Sequence, residues 1–194
     1  MAPETATPES FARAVEKMNS VVTRPEIVLE DAPPPLKLAP YAHALGGTVS
    51  RDGDEVATGR LILLHDPAGH EAWDGTLRLV TYVTAELESE IATDPLLSQV
   101  GWSWLVDALD NFDATYRAIG GTVTLNVSSR FGDLAGPPTV ADLEIRASWT
   151  PEDDALDAHM RAWCGLLAST AGLPPPGVTA IANRSPQHVG SGGA

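Results

Sequence analysis

The most constraining feature of the sequence is the clean alternation of apolar and polar side chains within residues 140–149. The apolar members of this run are Ala141, Leu143, Ile145, Ala147 and Trp149. The side chains between them are polar, and a period of two is the repeat of a β-strand that buries one face. We therefore expect a strand of an antiparallel sheet that other elements cover on one side only.

Five further segments have strand-like composition or alternation. They are 26–29, 41–50, 55–65, 76–85 and the stretch that follows Gly120 and Gly121. The sequence Arg-Asp-Gly-Asp at 51–54 predicts a tight hairpin, because Gly53 readily adopts the positive φ that such a turn needs. These connections of hairpin length favour antiparallel neighbours.

Three helices are predicted from capping residues, first-turn prolines and apolar residues at helical spacing. The first begins at Thr7-Pro8 and ends near Asn19, and the second runs over 95–112 after Asp94. The third is expected to open at Thr150-Pro151 and to stop at Gly172. The expected buried side chains of the second helix are Leu97, Val100, Trp104, Leu105 and Ala108. Those of the third are Leu156, Met160, Trp163 and Leu167.

These elements predict an α+β fold in which an antiparallel sheet of about six strands carries three helices. The order along the chain is α-β-β-β-β-α-β-β-α, with the helices on one side of the sheet. We expect a flexible N-terminus over 1–7, a single α+β domain over 8–176 and a disordered C-terminal tail over 177–194. The tail is predicted from its glycine-rich and polar end.

Composition excludes several classes of function. The 194 residues carry a formal charge of −14, from 26 acidic and 12 basic residues. Such a surface repels phosphate backbones and anionic membranes, so we expect neither direct nucleic-acid binding nor membrane association. A single cysteine, Cys164, excludes an internal disulfide and a site of several thiolates. With no secretory signal in the first residues, we expect a cytoplasmic protein. We also expect no cofactor and no bound metal.

One polar cluster offers an alternative site of chemistry. His65, Asp66, His70, Glu71 and Asp74 lie close together in sequence, in a predicted loop between two strands. Imidazole and carboxylate groups could ligate a divalent metal or act as general acid and base. The spacing matches no standard metal motif, and Asp66-Pro67 with Gly69 is also ordinary turn chemistry. A structural loop therefore remains the favoured interpretation.

A second candidate site centres on Trp102 in the middle helix. Residues two apart on a helix point about 200° away from each other, so Trp102 and Trp104 cannot enter one core together. Acidic residues without an intervening base surround this region in sequence, and the candidates for partner contact are Glu86, Glu88, Glu90, Asp107 and Asp110. An aromatic residue among acids predicts a contact for a basic, partly apolar protein.

Several stretches together resemble a family of actinobacterial proteins of unknown function, DUF3000. They are LAPYA at 38–42, ATGRL at 57–61, LHDPAG at 64–69, EAW at 71–73, DPLL at 94–97, VGWSWL at 100–105, GGTV at 120–123, RFGD at 130–133, RASWTP at 146–151 and GLPPPG at 172–177. The resemblance implies an actinobacterial cytoplasmic protein, but it brings no reaction, cofactor or catalytic residue.

The leading hypothesis is a non-enzymatic protein-binding or regulatory domain that contacts a protein partner or forms a homodimer. The predicted order of elements is similar to that of small secretion-chaperone-like folds, which makes a chaperone-like role one version of this hypothesis. The alternatives are an enzyme or metal-dependent binder centred on residues 65–74, and a small-molecule sensor. Fold does not determine function, so the choice depends on the site.

Overall fold

The computed structural model of the chain describes residues 7–35, 37–87, 91, 94–134 and 140–175. Within them lie three α-helices: α1 (Glu9–Asn19), α2 (Leu97–Asn111) and α3 (Leu156–Thr170). The strands are β1 (Ile27–Ala32), β2 (Tyr41–Arg51), β3 (Asp54–His70), β4 (Gly75–Leu87), β5 (Tyr116–Ser128) and β6 (Val140–Pro151). The expectations for residues 1–6 and for the tail over 177–194 lie outside the described residues.

The six strands form one antiparallel sheet in the order β1-β2-β3-β4-β6-β5. The turn between β2 and β3 has positive φ at Asp52 and Gly53, as the hairpin prediction requires. The chain leaves β4, passes through α2 and forms β5 before β6 inserts between them, so β1 and β5 are the two edges. This architecture confirms the predicted fold class and the order of the elements.

All three helices cover the same face of the sheet, and the core lies between them. The alternating apolar residues of β6 are at most 5 % exposed, and Leu143, Ile145 and Trp149 are completely buried. The four residues predicted to face the core from α3 are also completely buried: Leu156, Met160, Trp163 and Leu167. The periodicity of the sequence therefore identified the interior correctly in the last strand and the last helix.

Two glycines make room for the tryptophan at the centre of this core. Gly47 on β2 pairs with Gly59 on β3, and a Cβ at either position would come within 2.7 Å of Leu167 and about as close to the Trp163 ring. The bare backbone lets α3 approach the sheet, while the Trp163 Nε1–H donates to Thr81 Oγ1 over 2.8 Å. The buried polar atom of the indole is thereby satisfied.

The start of α3 differs from the prediction. Thr150 and Pro151 belong to the end of β6, and α3 begins five residues later at Leu156. Thr150 is 1 % exposed, because its hydroxyl donates to the Trp73 carbonyl and accepts from Arg78 Nη1. These buried bonds hold the threonine in the sheet. Asp153 supports the turn before the helix instead, accepting from the Ala155 N–H over 2.8 Å.

The buried face of α2 is rotated relative to the prediction. Its buried residues are Leu97, Gly101, Leu105, Ala108 and Leu109, whereas Val100 is 41 % exposed. A Cβ at Gly101 would lie 3.3 Å from Val123, so this glycine lets α2 pack directly on β5. The helix begins at Leu97, two residues after the expected Pro95, and Gly120 and Gly121 lie inside β5.

Candidate functional site

A groove of about 560 Å³ lies between α2, α3 and the segment that joins α1 to β1. Ala108 from α2 and Gly165 and Ala168 from α3 line it with small residues, and Trp104 and Phe112 add aromatic rings. A Cβ at Gly165 would meet the Phe112 ring at 3.2 Å, which shows how closely the two helices approach. Small residues and aromatic rings together give the groove a largely apolar lining.

The other side of the groove is formed by residues that flank α1 and α3. Val22 is 94 % exposed there, and Arg24 Nη1 donates to the Pro174 carbonyl over 2.9 Å. The Arg24 guanidinium also holds both oxygens of the Glu26 carboxylate at 3.0 Å, and this hydrogen bond raises the pKa of Arg24. The bonds of Arg24 therefore fix this side of the groove to the segment that follows α3.

The charges around the groove leave one acid uncompensated. Arg24 is paired with Glu26, and Arg161 on α3 is paired with Asp157. Asp107 on α2 also lines the groove and is exposed, and it forms no ion pair within the part of the chain that the structure describes. An occupant of this groove would therefore be largely apolar, with a basic group near Asp107.

The cysteine in the groove is not a nucleophile in this setting. Cys164 lines the groove from α3, and burial raises the pKa of its thiol to about 12. The thiol is protonated at neutral pH, and the thiolate is the form that attacks electrophiles or binds metal. Cys164 therefore contributes a protonated thiol to the lining of the groove.

His65 occupies a structural position away from the rest of the polar cluster. Its side chain is 7 % exposed on the helix-covered face of β3, with the ring stacked on Phe11 of α1 at 5.7 Å between centroids. Nδ1 lies 3.0 Å from the Thr76 carbonyl oxygen. Because neighbouring residues of a strand point to opposite faces, Asp66 is directed away from His65.

The segment 66–74, predicted as a loop, is mostly strand. In the structure β3 continues to His70, and a short 3₁₀ turn, Glu71–Trp73, leads into β4. Asp66 accepts from the Ala68 N–H, and His70 Nδ1 accepts from the Ala72 N–H while its ring stacks on Trp73. Asp74 forms an ion pair with Arg117 at 3.2 Å, and Glu71 is exposed. No three His, Cys, Asp or Glu side chains are placed to hold a metal ion among the described residues.

Trp102 packs at the edge of the sheet. A Cβ at Gly121 of β5 would come within 2.9 Å of the Trp102 ring, so the half-buried indole lies against the edge strand at this exposed glycine. Trp104 lies in the groove on the other side of α2, in agreement with the predicted divergence of the two rings.

The described members of the predicted acidic set, Asp107, Glu86 and Asp110, lie at three separate places. Asp107 lines the groove together with Trp104. Glu86 lies on the uncovered face of the sheet, in a shallow depression with Asp142 and Glu144. Asp110 is exposed near the end of α2, and burial, with a smaller contribution from the Asp110 charge, raises the pKa of Tyr116. Glu88 and Glu90 lie outside the described residues.

Sequence reasoning missed the groove because three distant segments build it. Trp104 was assigned to the buried side of α2, and Phe112 was only the expected end of that helix. The available signal was the run of small residues Cys164, Gly165 and Ala168 on the outer side of α3, since Trp163 and Leu167 already account for the core side. Small residues at this spacing allow another element to come close.

Comparison with known proteins identifies the family. The profile described as "Protein of unknown function (DUF3000)" matches residues 7–179, which is most of the chain. No curated protein and no solved structure matches. None of the helices in the described ranges is long and apolar enough to cross a membrane. The resemblance read from the sequence is thus confirmed: the chain belongs to the DUF3000 family of proteins of unknown function.

Proposed function

We propose that this chain is a non-catalytic protein-binding domain that holds an apolar segment of a partner protein in the groove between α2 and α3. The observation that carries the proposal is the lining of that groove, where Trp104 and Phe112 stand beside small residues. Partly exposed aromatic residues next to small side chains are typical of surfaces that accept an anchor residue from a partner. Shielding such a segment is also what a chaperone-like or regulatory role requires.

The charge of the groove defines the partner's chemistry. Among the described residues Asp107 is the acid at the groove without an ion-pair partner, so we expect a segment with several aliphatic or aromatic side chains and one Lys or Arg. The high negative charge of the whole chain favours the same class of partner. A single cysteine is in keeping with a reducing compartment, and we propose that the domain is cytoplasmic.

A catalytic role has less support. His65, Asp66, His70 and Asp74 each have a structural contact to backbone, ring or ion-pair partner. General acid–base catalysis needs such groups converging on one reacting atom, and Asp66 is directed away from His65.

A small-molecule sensor is the second candidate, and the volume of the groove favours it. About 560 Å³ lies within the range of roughly 300–1,000 Å³ that is common for ligand pockets. Native mass spectrometry of protein purified without denaturation distinguishes the two candidates. A bound small molecule adds a discrete mass, which the protein-binding proposal does not predict.

The proposal is tested by selecting peptides from a random displayed library on the full chain. We expect the selected peptides to be apolar with one basic residue and to bind about tenfold or more weakly to Ala168→Glu, which introduces a carboxylate into the groove. Ala168 is half-buried, so the glutamate head can reach water without unfolding α3. The matched control is Ala12→Glu on the exposed side of α1.

Fluorine NMR locates the binding directly. The chain has five tryptophans, so 5-fluorotryptophan labelling gives five resonances, and Trp104→Phe assigns the one that belongs to the groove. The selected peptide should shift the Trp104 resonance and leave that of the buried Trp149 unchanged. Equal binding to Ala168→Glu, or a Trp104 resonance that does not move, would contradict the proposal.

A further inference from the structure

We infer that two copies of this chain pair edge to edge through β5, so that two six-stranded sheets become one continuous sheet. This interface goes beyond the proposed function, because it uses the side of α2 that carries Trp102 and leaves the groove at Trp104 open. Five features of β5 favour this pairing: its free edge, its lack of protecting residues, its lack of acidic residues, its incomplete burial and its self-complementary sequence.

Among the described strands, β5 has a long free edge. Among the strands of the described residues, β5 pairs only with β6. The pairing is irregular between Arg117 and Gly120 and then continuous over 120–128. Nine residues of strand span about 30 Å and present a row of unpaired N–H and C=O groups.

β5 lacks the residues that usually protect an edge strand. It contains no proline, and Arg117, at the irregular end, is its one charged residue. The opposite edge, β1, is only six residues long, carries Glu30 and Asp31, and is followed by three prolines at 33–35. Short length, charge and proline are the features that prevent edge-to-edge pairing. One edge of the sheet is therefore blocked and the other is open.

The charges of the two edge strands favour pairing of two copies through β5 rather than through β1. Each chain carries −14, so two copies repel each other wherever their acids meet. Pairing through β1 would bring Glu30 and Asp31 of both copies together. Pairing through β5 brings together a strand without a single acid.

Apolar side chains at this edge are incompletely covered. Val123 and Leu125 are half-buried, although their partners on β6, Ile145 and Leu143, are completely buried. Val127 is 57 % exposed. Side chains on the same side of the sheet from a second copy would cover them, together with the Trp102 ring at Gly121.

The sequence of β5 is complementary to itself in one register that uses all nine residues. A two-fold axis at Thr124 places Thr124 opposite its own copy and Thr122 opposite Asn126 on the open face. On the helix-covered face it places Val123 opposite Leu125 and Gly121 opposite Val127. Polar residues then pair with polar and apolar with apolar, as stable cross-strand pairs do.

Sedimentation velocity of the full chain tests the pairing. We expect a species of twice the 20.4 kDa chain mass, and we expect Thr124→Lys to raise its dissociation constant about tenfold or more, since two lysines would face each other across the axis. Thr124 is exposed, and its neighbour Glu144 on β6 can accept the lysine, so the fold is retained. Glu30→Lys on the blocked edge is the matched control and should leave the dimer unchanged.

Cysteine cross-linking tests the register in a Cys164→Ala background. Thr124→Cys should form a disulfide-linked dimer on mild oxidation, because it meets its own copy at the axis. Thr122→Cys alone should not, whereas the double variant with Asn126→Cys should. A wild-type chain that stays monomeric at every soluble concentration, or a dimer that Thr124→Lys leaves intact, would overturn the inference. The first result would leave β5 open to an extended segment of another protein.

Discussion

Strands β5 and β6 are neighbours with similar alternation, yet they differ sharply in burial. Leu143 and Ile145 of β6 are completely buried, while Leu125 and Val123, which lie opposite them on β5, are only half-buried. The difference arises from position in the sheet, because β6 lies between β4 and β5 whereas β5 has a neighbour on one side only among the described strands. Alternation therefore identifies the buried face of a strand, but strand order decides how completely that face is buried.

The largest effect on stability is expected from an acid introduced into β6, the interior strand of the β5–β6 pair. Leu143→Asp should unfold the domain, because a buried carboxylate without a partner costs several kcal/mol. Leu125→Asp introduces the same charge at the opposing, half-buried position, where water can reach it, and should leave the domain folded. Urea denaturation followed by circular dichroism compares the two. A soluble, cooperatively folded Leu143→Asp protein would show that the interior assignment is wrong.

The interior beside β6 also contains a buried histidine whose lowered pKa makes the stability of the fold depend on pH. His159 on α3 is completely buried, and its Nδ1 accepts from the Trp149 Nε1–H over 3.1 Å. Burial lowers the pKa of His159 from 6.5 to about 4, although the charges of Asp153 and Asp157 oppose this shift. The folded protein thus holds this imidazole neutral where the unfolded chain protonates it.

The free energy of unfolding should depend on pH because the pKa of His159 differs between the folded and the unfolded chain. Above pH 6.5 His159 is neutral in both the folded and the unfolded state, so its contribution to the free energy of unfolding is constant. As the pH falls from 6.5 to about 4, only the unfolded state gains the proton, so the free energy of unfolding should fall by about 3 kcal/mol. His159→Gln keeps an acceptor for Trp149 and should flatten the profile between pH 6.5 and 4.5. An unchanged slope in this variant would assign the acid sensitivity to other groups.

A smaller effect, on self-association, is expected from removing the Trp102 ring at the edge of the sheet. Trp102→Ala should preserve cooperative unfolding, because the ring is half-buried, and should weaken self-association by about 2 kcal/mol, or about thirtyfold. Trp104→Ala removes the same type of side chain from the other side of α2 and should alter peptide binding without changing the dimer. Sedimentation velocity and thermal unfolding of both variants make the comparison. A loss of about 3 kcal/mol or more of stability in Trp102→Ala would instead identify the ring as a core residue.

Much of the fold could be predicted because local signals agree with the tertiary structure. Alternation over 140–149, the Asp52-Gly53 turn and the apolar face of α3 each identified the element that the structure contains. The exceptions have specific causes. Thr150-Pro151 followed by acids is typical of a helix start, but buried hydrogen bonds to Trp73 and Arg78 keep Thr150 in β6. At α2, close packing on β5 selects Gly101 in place of Val100 as the buried residue.

The candidate sites were harder to predict because closeness in sequence differs from closeness in space. His65 and Asp66 are adjacent in the chain but point to opposite faces of β3. Glu86 lies on the uncovered face of the sheet, while Trp102 lies on the helix-covered face. The groove combines residues from three segments that a sequence alone does not bring together. The two open surfaces, the groove and the β5 edge, therefore became visible only with the strand order and helix positions.

The central claim is that β5 is an open edge that a second copy completes, while β1 is a blocked edge. Amide hydrogen exchange of the full chain, measured by mass spectrometry across a range of protein concentrations, tests it most directly. Residues 120–128 should gain protection as the concentration rises through the dissociation constant of the dimer, and Ile27–Ala32 should exchange at the same rate throughout. Exchange of 120–128 that is independent of concentration, or protection that appears at β1 instead, would contradict the account.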